Sequence, residues 1–97
     1  MMPSSDTRNF FAKVEALRKH MILTTAQMAK VLGTTRVTYS GWVNGKAIRK
    51  TNEDRVKQVL RNLLAVVTEH EWPKPEVIAL ASSQRFNTLL EILKPEE

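Results

Sequence analysis

The sequence predicts an all-α fold, a compact bundle of five to six helices, and three observations carry that prediction. Apolar residues recur at three- and four-residue intervals along most of the chain, and no stretch alternates as a half-buried strand would. Capping residues precede the periodic segments, and Gly, Asn-Gly or Pro follows them. At 97 residues, 42% hydrophobic and 26% charged, the chain has the length and the ordinary composition for one modest core.

The elements follow in order. Ser4, Ser5 and Asp6 are N-cap candidates for a first helix running to about His20, with Phe10, Val14, Leu17 and Met21 as its buried stripe and Phe11 beside them. Thr24 and Gln27 stand at capping-box spacing and open a second helix that ends near Leu32. Gly33 supplies the positive φ of a tight turn. Thr34 or Thr35 caps a third helix, stopped by Asn44-Gly45, and a basic loop, KAIRK, comes next. Thr51 and Asp54 repeat the capping-box spacing ahead of a long helix from about Asn52 to His70, whose apolar face is Val56, Val59, Leu60, Leu63, Leu64 and Val67. Trp72-Pro73-Lys74-Pro75 breaks it, and Pro75 can begin another helix marked by Val77, Ile78 and Leu80. Phe86, Leu89, Leu90 and Leu93 mark a last segment, with Ser82-Ser83 as the interruption between the two.

Composition excludes several classes of function. The chain has no cysteine, so a thiolate metal site is unavailable, and His20 and His70 stand apart from any carboxylate at ligand spacing. No nucleophile elbow, phosphate loop or paired-carboxylate motif is present. The expectation is a protein that is not an enzyme, with no metal, no cofactor and no small-molecule ligand. No apolar run approaches the roughly 18 residues of a membrane span, and the first residues lack the basic start and apolar core of a secretory signal. A cytoplasmic location is expected.

Charge is distributed unevenly. Between Lys30 and Arg61 eight basic residues (Lys30, Arg36, Lys46, Arg49, Lys50, Arg55, Lys57, Arg61) face two acids, whereas from Glu69 onward three basic residues face six acids. A polyanion would therefore meet the middle of the chain, within an overall net charge of +5.

The segment from Thr24 to Gly45 has the layout of a helix-turn-helix. Ala29 lies where the second helix must pass close to the third, and Met28, Leu32, Tyr39 and Trp42 are predicted to close the wedge. With Tyr39 and Trp42 inward, helical geometry turns Arg36, Val37, Ser40 and Gly41 outward along one face. The stretch from Leu23 to Lys50 resembles the Cro/C1-type helix-turn-helix of lambdoid phage repressors and the wider xenobiotic-response-element family. Ala29, Leu32, Gly33, Thr34, Thr35, Trp42, Asn44, Gly45 and Lys46 fall where that pattern puts them. Three positions depart from it. Thr25 stands where the family often has a backbone-contacting glutamine. Tyr39 replaces a valine or isoleucine, which suggests a ring with its hydroxyl at the edge of the wedge. Gly41 lies inside the third helix, at a cost of about 1 kcal/mol relative to alanine; it either permits close approach to a base or sugar or is merely tolerated.

The resemblance implies a lambda-repressor-like fold and a DNA-binding role for these residues. Arg36, first on the outward face, is expected to read guanine, with a phosphate contact as the competing reading; Val37 would meet a thymine methyl, and Ser40 a base or the backbone. Gly41 can offer only backbone and shape. Thr25, Thr35, Asn44, Lys46, Arg49 and Lys50 are the expected DNA-backbone contacts. Arg55 and Arg61 lie on the continuation of the strip, a solvated helix face being the plainer reading for Arg61, and Lys30 is read as serving solubility.

Residues 1–70 are thus expected to form the helix-turn-helix domain, with 71–97 as a helical extension of the same unit that serves dimerisation. Leu80, Phe86, Leu89, Leu90 and Leu93 are the expected dimer interface; the alternative is that they fold back onto the first and fourth helices. The function expected is a sequence-specific DNA-binding transcription regulator of bacterial or phage type, a repressor on a palindromic operator. It would bind as a homodimer, through the helix from Thr35 to Asn44. The alternative from another class is an antitoxin-like protein-interaction module whose C-terminal helices bind a protein partner.

Overall fold

A computed structural model describes residues 4–94. Six helices follow one another: α1 Ser4–His20, α2 Thr25–Val31, α3 Arg36–Val43, α4 Lys50–Glu69, α5 Pro75–Ile78 and α6 Ser82–Leu93. The described residues include no strand, and no helix among them is long and apolar enough to cross a membrane. The N-cap roles suggested for Ser4 and Ser5 lie outside the described side chains. Asp6 sits in the first turn of α1 instead of at its cap, where a carboxylate favours the positive end of the helix dipole.

Local chemistry sets the turns around α2 and α3. The Thr24 hydroxyl accepts from the Gln27 amide at 3.0 Å, and the Gln27 side chain accepts from the Thr24 amide at 3.0 Å, completing the capping box. At the other end Gly33 adopts φ +79°, and the amides of Gly33 and Thr34 close back on Lys30 and Ala29 at 3.1 and 2.9 Å. This paired closure lets the chain reverse within a few residues. Arg55 of α4 then locks the turn, its Nε donating to the Leu32 carbonyl at 3.0 Å. Thr35 caps α3 by accepting from the Thr38 amide at 3.1 Å.

The start of α4 differs from the expectation. The helix begins at Lys50 with Arg49 as N-cap and no side-chain cap bond, so the Thr51–Asp54 box does not form. Asp54 pairs instead with Lys50 at 3.1 Å, and Glu53, 7% exposed, is bridged by Lys50 and Lys57. The buried row of α4 is Val56, Leu63 and Val66, with Val59, Leu60 and Val67 half-buried. Leu64, expected on this face, is 53% exposed because it belongs to the neighbouring row, over a groove lined by Phe10, Leu17 and Leu60.

Beyond α4 the chain returns to the same core. The Trp72 indole is buried and donates to the Met21 carbonyl at 3.1 Å. Pro75 opens α5, and Ser82 opens α6 after Ala81. Arg85 holds the two short helices together by donating to the carbonyls of Val77, Ile78 and Leu80. Trp72, Val77, Phe86 and Leu89 join one cluster with Phe11, Val14, Tyr39, Trp42 and Leu63. The dimer-interface expectation is corrected accordingly for Phe86 and Leu89. They are 7% and 0% exposed within a single chain, their apolar surface already spent on α4 and the core, while Leu80, Leu90 and Leu93 remain half-buried.

Candidate nucleic-acid interface

The third helix is set by its inward side. Tyr39 and Trp42 are buried against Phe11 of α1, with ring centroids 6.0 and 5.4 Å away, and Ala29 of α2 is 1% exposed beneath them. The Tyr39 hydroxyl, expected at the edge of the wedge, is fully buried and makes no hydrogen bond within 3.5 Å among the described residues. Burial, with the nearby Glu15 carboxylate adding to it, pushes its pKa far above the usual phenol range. A buried hydroxyl without a partner opposes folding. Tyr39→Phe is therefore expected to leave stability unchanged or raise it by about 1 kcal/mol, measured by urea unfolding. A clear loss would mean that the hydroxyl is satisfied in solution.

The outward side carries Arg36 and Val37, both exposed, Val37 to 77%, with Ser40 and Gly41 half-buried behind them. At Gly41, where either a close approach to a base or sugar or mere tolerance was expected, a side chain of the same protein lies close by. The Lys46 stem lies across it, so that a Cβ added at Gly41 would stand 3.1 Å from Lys46 Cδ. The Lys46 amide also donates to the Gly41 carbonyl at 2.9 Å, and the Gly45 amide to the Trp42 carbonyl at 2.9 Å. The missing side chain thus leaves room for the Lys46 stem beside the turn that ends α3, where Gly45 stands at φ +96°.

The backbone-contact candidates divide by what already occupies them. Thr35 and Asn44 are the two caps of α3: the Asn44 side-chain amide donates to the Ser40 carbonyl at 2.9 Å. Thr25 is half-buried at the start of α2. Lys50 is held by Asp54 and Glu53, and its pKa is raised by the hydrogen bond and charge of Asp54 first and by Glu53 after it. Arg55 is committed to the Leu32 turn, and Arg61 to Gln58 at 2.6 Å on its own helix. Arg36, Lys46 and Arg49 have no carboxylate within 4.0 Å among the described residues.

Lys46 and Arg49 line a cleft of about 270 Å³ together with Val37, Thr38 and Trp42. Asn52, in the first turn of α4, completes it. The sequence reading missed Asn52, although its place just after a basic loop and in a helix's first turn was a usable signal. It also missed Arg8, whose Nη2 donates to the Asn44 carbonyl at 2.9 Å across 36 residues, a pairing no local pattern announces.

The family model described as helix-turn-helix matches residues 14–63, just over half of the chain, and spans all of α2, α3 and the loop between α3 and α4. No curated protein and no solved structure matches the chain.

Proposed function

We propose, from the premise that this chain belongs to the Cro/C1-type helix-turn-helix family of DNA-binding transcription regulators, that it represses transcription by occupying a palindromic operator as a homodimer. The observation that carries the reading is the outward face of α3. It presents an exposed arginine and an exposed valine, beside two cations, and none of the three charged groups has a carboxylate within 4.0 Å among the described residues. In this reading Arg36 makes the bidentate contact to guanine O6 and N7, Val37 packs on a thymine methyl, and Ser40 meets a base edge or the backbone. Lys46 and Arg49 anchor phosphates and fix the register, supported by Thr25, Thr35 and Asn44. Lys50 contributes less, since its ammonium is shared between two carboxylates. Gly41 acts by giving Lys46 its course.

One recognition helix touches too few base pairs for selectivity, which favours two copies on half-sites about 34 Å apart. Among the described residues after Glu71, half-buried Leu80, Leu90, Ile92 and Leu93, together with Ile78 at 48% exposure, are larger apolar side chains left for that contact. Selection of bound duplexes from a random pool tests the whole reading. Enrichment of a palindrome with that spacing, bound in a salt-sensitive way, is the expected result. Binding without any sequence enrichment would defeat the operator reading.

A further inference from the structure

Arg8 projects from α1, is exposed, and donates from Nη2 to the carbonyl of Asn44, the C-cap of α3. The turn beyond α3 has closed most of its own carbonyls. Ser40 accepts from the Asn44 amides, Gly41 from Lys46 and Trp42 from Gly45. Asn44 is met from outside the turn, by an arginine 36 residues earlier. The negative end of the helix dipole favours a cation there.

The bond uses one of the five N–H donors of a guanidinium, and no carboxylate lies within 4.0 Å of Arg8 among the described residues. Other arginines are spent more fully. Arg85 reaches three carbonyls, Arg18 combines the Glu15 carboxylate with the Leu23 carbonyl, and Arg55 is engaged in the Leu32–Gly33 turn. A single carbonyl bond therefore plants a mostly unused guanidinium at the C-terminal end of the stripe that begins with Arg36.

The α3 helix has eight residues, about 12 Å of rise, close to the roughly 12 Å width of the major groove. A helix whose first turn reaches base edges then has its last turn near the rim, where the phosphates run. We propose that Arg8 is a further DNA-backbone contact, delivered from α1: one N–H holds the end of α3 and the remaining donors bind a phosphate oxygen. This rests on the reading of α3 as the recognition helix.

The test compares the full chain with Arg8→Gln and Arg8→Lys on the selected operator and on a random duplex, over a range of KCl concentrations, with thermal unfolding alongside. Glutamine keeps an N–H for Asn44 and removes the charge; lysine keeps the charge. Arg8→Gln is expected to unfold at the wild-type temperature, to weaken both duplexes by the same factor, and to lower the salt slope by about one unit. Arg8→Lys is expected to keep the wild-type slope. An unchanged slope in Arg8→Gln would overturn the proposal and leave Arg8 as a clamp on α3. So would a loss confined to the operator, or a lowered slope in Arg8→Lys as well. A wild-type chain that binds neither duplex would overturn the recognition-helix reading, and this proposal with it.

Discussion

Replacing Trp72 with alanine is expected to cost about 3–5 kcal/mol of folding stability. The ring is 3% exposed and joins the main core from beyond the end of α4, so truncation leaves a cavity that the helices on either side cannot readily fill. Its Nε1–H is also the partner of the Met21 carbonyl at 3.1 Å, next to Ile22, which holds the left-handed φ of +59° that ends α1. A β-branched residue in that conformation is strained, and the indole holds the adjoining turn in place. Trp72→Phe should cost less, about 1–3 kcal/mol, because it keeps most of the apolar surface and orphans only the carbonyl. Urea unfolding followed by fluorescence separates the two, since in either variant Trp42 is the remaining tryptophan and reports on the wedge itself. A loss of under about 1 kcal/mol for the alanine variant would mean that the segment after α4 is not packed on the core in solution.

What could be read from the sequence follows the range of the forces involved. The Thr24–Gln27 box, the turn at Gly33, the stop at Asn44-Gly45 and the inward turn of Tyr39 and Trp42 all act within about a helical turn, where spacing alone decides. The outward face of α3 follows from the same period. The misreadings share a different cause. Thr51 and Asp54 had the right spacing for a cap, but Lys50 offered Asp54 a charged partner and the helix began earlier. Phe86 and Leu89 declared a buried face without declaring what would bury it, and the partner proved to be their own chain.

The availability of each cation depends on pairings that spacing does not encode. Arg55 reaches Leu32 across 23 residues and Arg8 reaches Asn44 across 36. Gln27 likewise ties α2 to Ser82 across 55. A charge count over Lys30–Arg61 therefore overstated the strip available to a polyanion at Lys50, Arg55 and Lys57, each already engaged. It also left out Arg8. Gly41 follows the same logic. Seen alone it invites a close ligand, and only the path of Lys46 shows that its space is filled.

That path decides how the split between base reading and anchoring is best tested. Arg36→Ala is expected to cost about 1–3 kcal/mol on the selected operator and to relax preference at one base position, with little change on random DNA. The matching anchor variant is Lys46→Met, since alanine would also strip the methylenes that cover Gly41 and disturb the end of α3. Methionine keeps an aliphatic stem there and removes the charge. It is expected to weaken every duplex by about the same factor and to lower the salt slope by about one unit. Binding-site selection repeated with each variant supplies the base preferences, and salt titration supplies the slopes. If Arg36→Ala weakens operator and random duplex equally, Arg36 contacts a phosphate, and sequence preference must come from Val37, Ser40 and the shape of the DNA. The exposed Val37 makes that outcome testable in turn, because thymine is the base whose methyl an exposed valine can bury.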